Sequence, residues 1–85
     1  MEILYSSHFE RSLKKLPQSL KAEVGQQELI FRKNCFNPQL KTHKLKGRYK
    51  DLWSFSITHK HRIVFKFLNK NTVYFIDTGD HSIYQ

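Results

Sequence analysis

From Trp53 to Phe75 the sequence keeps a period of two. Trp53, Phe55 and Ile57 alternate with Ser54 and Ser56, and Ile63, Phe65 and Phe67 alternate with Arg62, Val64 and Lys66. Val73 and Phe75 open a third run. Only strands with one buried face place every second side chain on one side, so this half of the chain reads as an antiparallel meander. Pairing Ile57 with Ile63 predicts Phe55 opposite Phe65 and Trp53 opposite Phe67, with His59-Lys60-His61 as the turn. A slip of one residue would drive Arg62 into the core, which the cost of burying a charge forbids. Asn69-Lys70-Asn71 predicts the next turn, with Phe67 opposite Val73 and Asp77 opposite Ile63.

Before Trp53 the period is helical. Ile3-Leu4-Tyr5 reads as a short opening strand. Ser7 with Glu10 has the S-x-x-E pattern of a capping box, followed by Phe9, Leu13 and Leu16 at helical spacing. Pro17 ends that helix and can begin the next, which runs to about Lys33 with Leu20, Val24, Gln27 and Phe31 as its stripe and Ile30 alongside. Gln27 and Gly25 weaken that stripe. Asn34 to Pro38 is a stop. The fold class is therefore α+β: one domain over residues 1–85, an N-terminal helical hairpin packed on a small antiparallel sheet. The uncovered face of the sheet would carry Ser54, Ser56, Arg62 and Lys66.

Charge narrows the partners. Fifteen Lys and Arg against seven Asp and Glu give a net charge of +8. Lys41, Lys44, Lys46, Arg48 and Lys50 fall within ten residues that contain His43 and no acid, so the charge is concentrated. Such a surface attracts polyanions, with nucleic acid first and an acidic protein second. Nothing at the N-terminus reads as a signal peptide, and no apolar run approaches the roughly 20 residues of a membrane span. One cysteine, Cys35, excludes an internal disulfide and a cysteine-rich zinc site, and suits a reducing cytoplasm. It reads as a small buried side chain. His59 and His61 lie on a turn, and a lone H-x-H is weak evidence for a metal; no metal and no cofactor are expected.

Several segments together carry a family likeness. They are Leu45-Lys46-Gly47, Leu52-Trp53-Ser54, Ile57-Thr58, His61-Arg62-Ile63-Val64-Phe65 and the tail Thr78-Gly79-Asp80-His81-Ser82-Ile83-Tyr84. This C-terminal half resembles the toxins of the RelE/ParE superfamily of type II toxin–antitoxin systems, especially the YoeB and YafQ branches. The helical half matches in the order of its elements. The resemblance implies a RelE-like, microbial ribonuclease-like fold and metal-independent cleavage of messenger RNA, usually on the ribosome. It also implies a cognate acidic antitoxin. By position it makes His43 the general base, Arg62 the phosphate-contacting arginine, His81 the general acid and Tyr84 a terminal aromatic that positions a base. Two residues depart from the pattern. Asp77 stands where many relatives have a second arginine, and Ser56 where the YafQ-like branch has a histidine. Lys44, Lys46 or Arg48 could supply the missing charge.

These residue types suit the chemistry. Metal-free RNA cleavage must take a proton from the ribose 2′-hydroxyl, stabilise a phosphorane and return a proton to the 5′-oxygen. Histidine titrates near neutrality, and arginine stays charged and can bond two oxygens. Lys41, Lys44, Lys46, Arg48, Lys50 and Lys66 would grip RNA phosphates in a salt-dependent way. Each site residue also has a plain reading. His81 can cap a loop, His43 can be a solvated polar residue, Arg62 an exposed arginine, and Tyr84 can pack on the sheet edge. Two other functions stay open: a ParE-like inhibitor of DNA gyrase, which needs no acid–base pair, and a non-catalytic RNA-binding module.

Overall fold

The computed structural model describes residues 1–49 and 51–80. Among them the elements run β1 (Glu2–Tyr5), α1 (Ser7–Lys14), α2 (Gln18–Lys33), β2 (His43–Lys44), β3 (Trp53–Ser56), β4 (Arg62–Asn69) and β5 (Thr72–Gly79). Short 3-10 turns lie at Pro38–Leu40 and Gly47–Tyr49. The strands form one five-stranded sheet in the order β1-β5-β4-β3-β2. The sheet is mixed rather than antiparallel. β1 runs parallel to β5, with Glu2 opposite Thr72 and Tyr5 opposite Phe75, because the chain returns to it only after the helices and the meander. β2, unmarked by any alternation, forms the opposite edge.

The helices arise much as the spacing predicts, with one shift at the first cap. Ser6, not Ser7, caps α1: its extended backbone lets the hydroxyl oxygen accept from the Phe9 amide at 2.9 Å. The same hydroxyl donates to the Ile76 carbonyl at 2.9 Å, so one buried serine both caps the helix and fastens it to β5. Glu10 remains in the first turn, where a negative charge suits the helix dipole. The Tyr5 hydroxyl donates to Glu28, which Arg32 also pairs at 3.1 Å, joining β1 to α2. Burial, then the Glu28 carboxylate, pushes the Tyr5 phenol up from its ordinary range.

One hydrophobic cluster draws on β1, both helices and β3 to β5. Phe31, fully buried on α2, is its hub. Its ring stacks on Phe55 at 4.6 Å and meets the edges of Phe65 and Phe75 at 5.1 and 5.5 Å. Cys35 and Leu40 close the end of the core beyond α2. Burial pushes the Cys35 thiol up. Trp53 and Phe67 are only partly buried and share a ring cluster with the exposed Phe36.

The strand registers differ from the predicted ones in ways that preserve the faces. In β3–β4 the pairing is Trp53 with Phe65, Phe55 with Ile63 and Ser56 with Arg62, two residues from the expected one. The turn is the same length but sits one residue earlier, at 58–60, because Thr58 organises it. The Thr58 Oγ1 accepts from the amides of Lys60 and His61, both at 3.3 Å, and the Ile57 amide closes the loop on the His61 carbonyl at 2.9 Å. In β4–β5 Phe67 does pair with Val73, but the loop holds only Lys70 and Asn71, with Asn69 Oδ1 accepting from the Asn71 amide at 2.8 Å. A bulge then leaves Ile76 without a partner, so Thr78 rather than Asp77 stands opposite Ile63. The extra residue keeps a carboxylate from sitting over a fully buried isoleucine. The second face of the sheet is also less open than predicted. Ser54 and Ser56 are buried, as is Val64, whereas Arg62 is half-buried and Lys66 exposed.

Candidate functional site

Arg62 is the first residue of β4, next to the Ile57–His61 loop, between Ser56 on β3 and Gly79 on β5. Its Nη1 donates to the Ser56 hydroxyl at 2.7 Å. Its Nε is shielded from solvent and has no acceptor among the described residues. A charged donor left so carries a desolvation penalty of about 1–3 kcal/mol, which an anionic oxygen would relieve. The Arg62 carbonyl accepts from the Thr78 hydroxyl at 3.1 Å, fixing the backbone beneath the guanidinium.

Arg62 lines an open cleft of about 320 Å³. Its lining also takes in Ser56, Ile57, Thr58 and His59 from the end of β3 and the loop after it, Gln27 of α2, and Gln39 and Lys41. Lys41 adopts a left-handed backbone conformation (φ 53°) directly after the 3-10 turn at Pro38–Leu40. Among the described residues the cleft therefore joins two cations, Arg62 and Lys41, with side-chain amides and hydroxyls, and no described lining residue is a carboxylate.

His43 stands outside this cleft, on the edge strand. Cross-strand pairing places it in a row with Ser54, Val64 and Asp77. Partners share a face, so His43 and Arg62 lie on the same side of the sheet. Two strand spacings and a two-residue offset put their backbones roughly 12 Å apart. His43 Nδ1 lies 2.9 Å from the Lys41 carbonyl. A carbonyl only accepts, so the proton of the neutral ring sits on Nδ1 and leaves Nε2 with a free lone pair. The side chain is exposed.

The remaining sequence-predicted residues are more scattered. Lys44 pairs with Trp53 and so lies on the helix-covered side of the edge strand. Lys46 and Arg48 are exposed at the 3-10 turn after β2, where Arg48 lies over the Tyr49 ring at 5.1 Å. Lys66 shares the Arg62 face four residues along β4, near the Tyr74 ring at 6.0 Å. Lys50, His81 and Tyr84 lie outside the described residues. Asp77 does not line the cleft. Its Oδ1 accepts from Ser12 at 2.7 Å and from the Thr78 amide at 2.8 Å, and its Oδ2 pairs with His8 at 3.1 Å, so the carboxylate is occupied with α1. Gln27, Gln39, Thr58 and His59 were not singled out as site residues. Gln27 left a trace in the sequence as the polar break in an apolar stripe, whereas Thr58 and His59 appear there only as part of a likeness segment and of a turn.

The sequence matches no protein-family model and no curated protein. Solved structures match along nearly the whole chain. A YoeB/ParE toxin from Agrobacterium tumefaciens superposes with a TM-score of 0.78 at 18% identity, over 95% of this chain and 99% of that one. The RelB–RelE antitoxin–toxin complex from Methanococcus jannaschii gives 0.73 at 24% identity, over 95% and 94%. This chain has the RelE-like toxin fold. YafQ from E. coli shares it too, with a TM-score of 0.72 at 20% identity over 98% of this chain and 96% of that one. In this RelE-like fold the cleft opens beside the β3–β4 loop, off the end of β3 that β2 does not flank.

Proposed function

We propose that the chain is the toxin of a type II toxin–antitoxin system, an endoribonuclease that cleaves messenger RNA without a metal, on the ribosome and in the cytoplasm. The observation that carries this reading is Arg62: a guanidinium fixed through one nitrogen by Ser56, with a second donor lacking an acceptor among the described residues, at an open cleft that also holds Lys41. That is what a phosphate or phosphorane group needs. The RelE-like fold supports the toxin reading, the RelB–RelE, DinJ–YafQ and YoeB–YefM complexes support an antitoxin as partner, and the net charge of +8 suits an acidic one.

In this reading His43 Nε2 takes the proton of the 2′-hydroxyl. The 2′-oxygen attacks phosphorus, Arg62 neutralises the charge growing on the phosphorane oxygens, and His81 gives a proton to the departing 5′-oxygen. Tyr84 positions the adjacent base. The products are a 2′,3′-cyclic phosphate and a free 5′-hydroxyl, and the proton count balances between the two histidines. Lys41, Lys44, Lys46, Arg48, Lys50 and Lys66 hold the RNA strand and ribosomal RNA phosphates. A preorganised donor aimed at transition-state charge contributes about 10²–10³ in rate.

The test is cleavage of messenger RNA on translating ribosomes, with the new ends mapped for cyclic phosphate, alongside a gyrase supercoiling assay. Arg62→Ala and His81→Ala are expected to lose cleavage by at least about 10²-fold, with supercoiling unaffected throughout. Full cleavage by both variants would overturn the assignment. Inhibition of gyrase without RNA cleavage would replace the reading altogether.

A further inference from the structure

Gln27 is the one polar residue in the apolar stripe of α2, between Val24 and Phe31, both buried. A helix that only had to pack would carry leucine there. Its side chain instead crosses to the sheet, where Nε2 donates to the Ser56 carbonyl at 3.0 Å. Ser56 is the last residue of β3, beyond Trp53 and Ser54, the residues β2 pairs. The edge strand therefore gives the end of β3 no support, and Gln27 supplies it. The hydroxyl of the same Ser56 receives Nη1 of Arg62 at 2.7 Å. All three residues line the cleft.

We infer that Gln27 and Ser56 are positioning residues, linking helix α2 through the end of β3 to the Arg62 guanidinium and fixing its orientation at the cleft. What Arg62 then does rests on the nuclease reading; the linkage itself does not. Long arginine side chains sample many rotamers, and a guanidinium held before substrate arrives loses less freedom in the transition state. With Nη1 committed to Ser56, the remaining donors keep one direction. Gln27 contributes no charge and need not touch the phosphate; it fixes the carbonyl whose own side chain holds the arginine.

The experiment compares wild type with Gln27→Leu, Ser56→Ala and Ser56→Thr. Thermal denaturation, nitrogen-resolved NMR of the Arg62 guanidinium, and the kcat and KM of RNA cleavage are measured on each. Gln27→Leu completes the apolar stripe, so its melting temperature is expected to equal or exceed wild type while kcat falls about 10- to 100-fold with KM nearly unchanged. The Arg62 nitrogen signals are expected to be separately resolved in wild type and to merge toward those of a freely rotating guanidinium in Gln27→Leu and Ser56→Ala. Ser56→Thr, which keeps the hydroxyl, is expected to restore them. Resolved signals persisting in both Gln27→Leu and Ser56→Ala would overturn the linkage whatever the protein cleaves. Merged signals in Gln27→Leu and Ser56→Ala, with a wild type that keeps resolved signals but cuts no RNA, would uphold the linkage and overturn the nuclease reading.

Discussion

Replacing Asp77 with alanine should destabilise the protein while leaving the proposed RNA cleavage in place. The resemblance puts an arginine here in many relatives, which made the carboxylate look like a defect in the site. Its contacts place it elsewhere, between β5 and α1. Ser12 donates to it at 2.7 Å, and only 18% of its side chain is exposed. A hydrogen bond to a charged, partly buried acceptor contributes about 1.5–3 kcal/mol. The His8 pair adds little, because the imidazole is 60% exposed and surface pairs are worth at most about 1 kcal/mol. The loss should be about 2 kcal/mol, and for a domain of this size each 1 kcal/mol moves the melting temperature by about 4–8 °C. Asp77→Ala is thus expected to melt roughly 8–16 °C below wild type. In a double-mutant cycle with Ser12→Ala, followed by urea denaturation, about 1–2 kcal/mol should appear as coupling. Asp77→Arg should lose the same bond and gain no cleavage, since the position does not face the cleft. An Asp77→Ala variant as stable as wild type would refute the tether, and an Asp77→Arg variant with raised activity would refute its exclusion from the site.

Other perturbations test the core, the thiol and the cation at the cleft. Phe31→Ala removes a fully buried ring in contact with three others and should cost about 3–5 kcal/mol, enough to leave little native protein at 37 °C by circular dichroism. The raised Cys35 thiol holds less thiolate at pH 8 than an ordinary cysteine, so native protein should react with iodoacetamide far more slowly than urea-unfolded protein. The difference should narrow only as pH climbs past the usual thiol range; equal rates at pH 8 would contradict its burial. Lys41→Gln should weaken binding of single-stranded RNA across sequences and lower the salt slope by about 0.7, one phosphate contact. An unchanged slope would remove Lys41 from the RNA path.

The alternation from Trp53 to Phe75 was legible because it reports which face each residue takes, and every face it assigned to the apolar residues survived. The pairing was less legible, because hydrogen bonds of turn side chains set it. Thr58 moves one loop by a residue, Asn69 tightens the other, and neither leaves a mark in the hydrophobic pattern. A two-residue shift costs nothing in burial, so the pattern cannot see it. The cap on α1 moved by one residue for a similar reason. Ser6 has a second bond to make, to the Ile76 carbonyl. The parallel pairing of β1 was invisible because a four-residue strand says nothing of its neighbour.

For the site, Arg62 was legible as the cation that alternates away from the core, and Lys41 as part of a basic run. What the run did not reveal is that its members separate. Lys41 turns into the cleft while Lys44 lies on the other side of an edge strand. Gln27 was visible only as an imperfection. In an amphipathic helix a polar residue on the buried stripe must find a partner or cost stability, and here the partner is the carbonyl of the residue that holds Arg62. The break in the stripe is thus the sequence trace of a contact made across the fold. Polar interruptions on the core side of α2 therefore point to the cleft more specifically than the lysines do, because a surface lysine is stable without any partner and a half-buried glutamine is not.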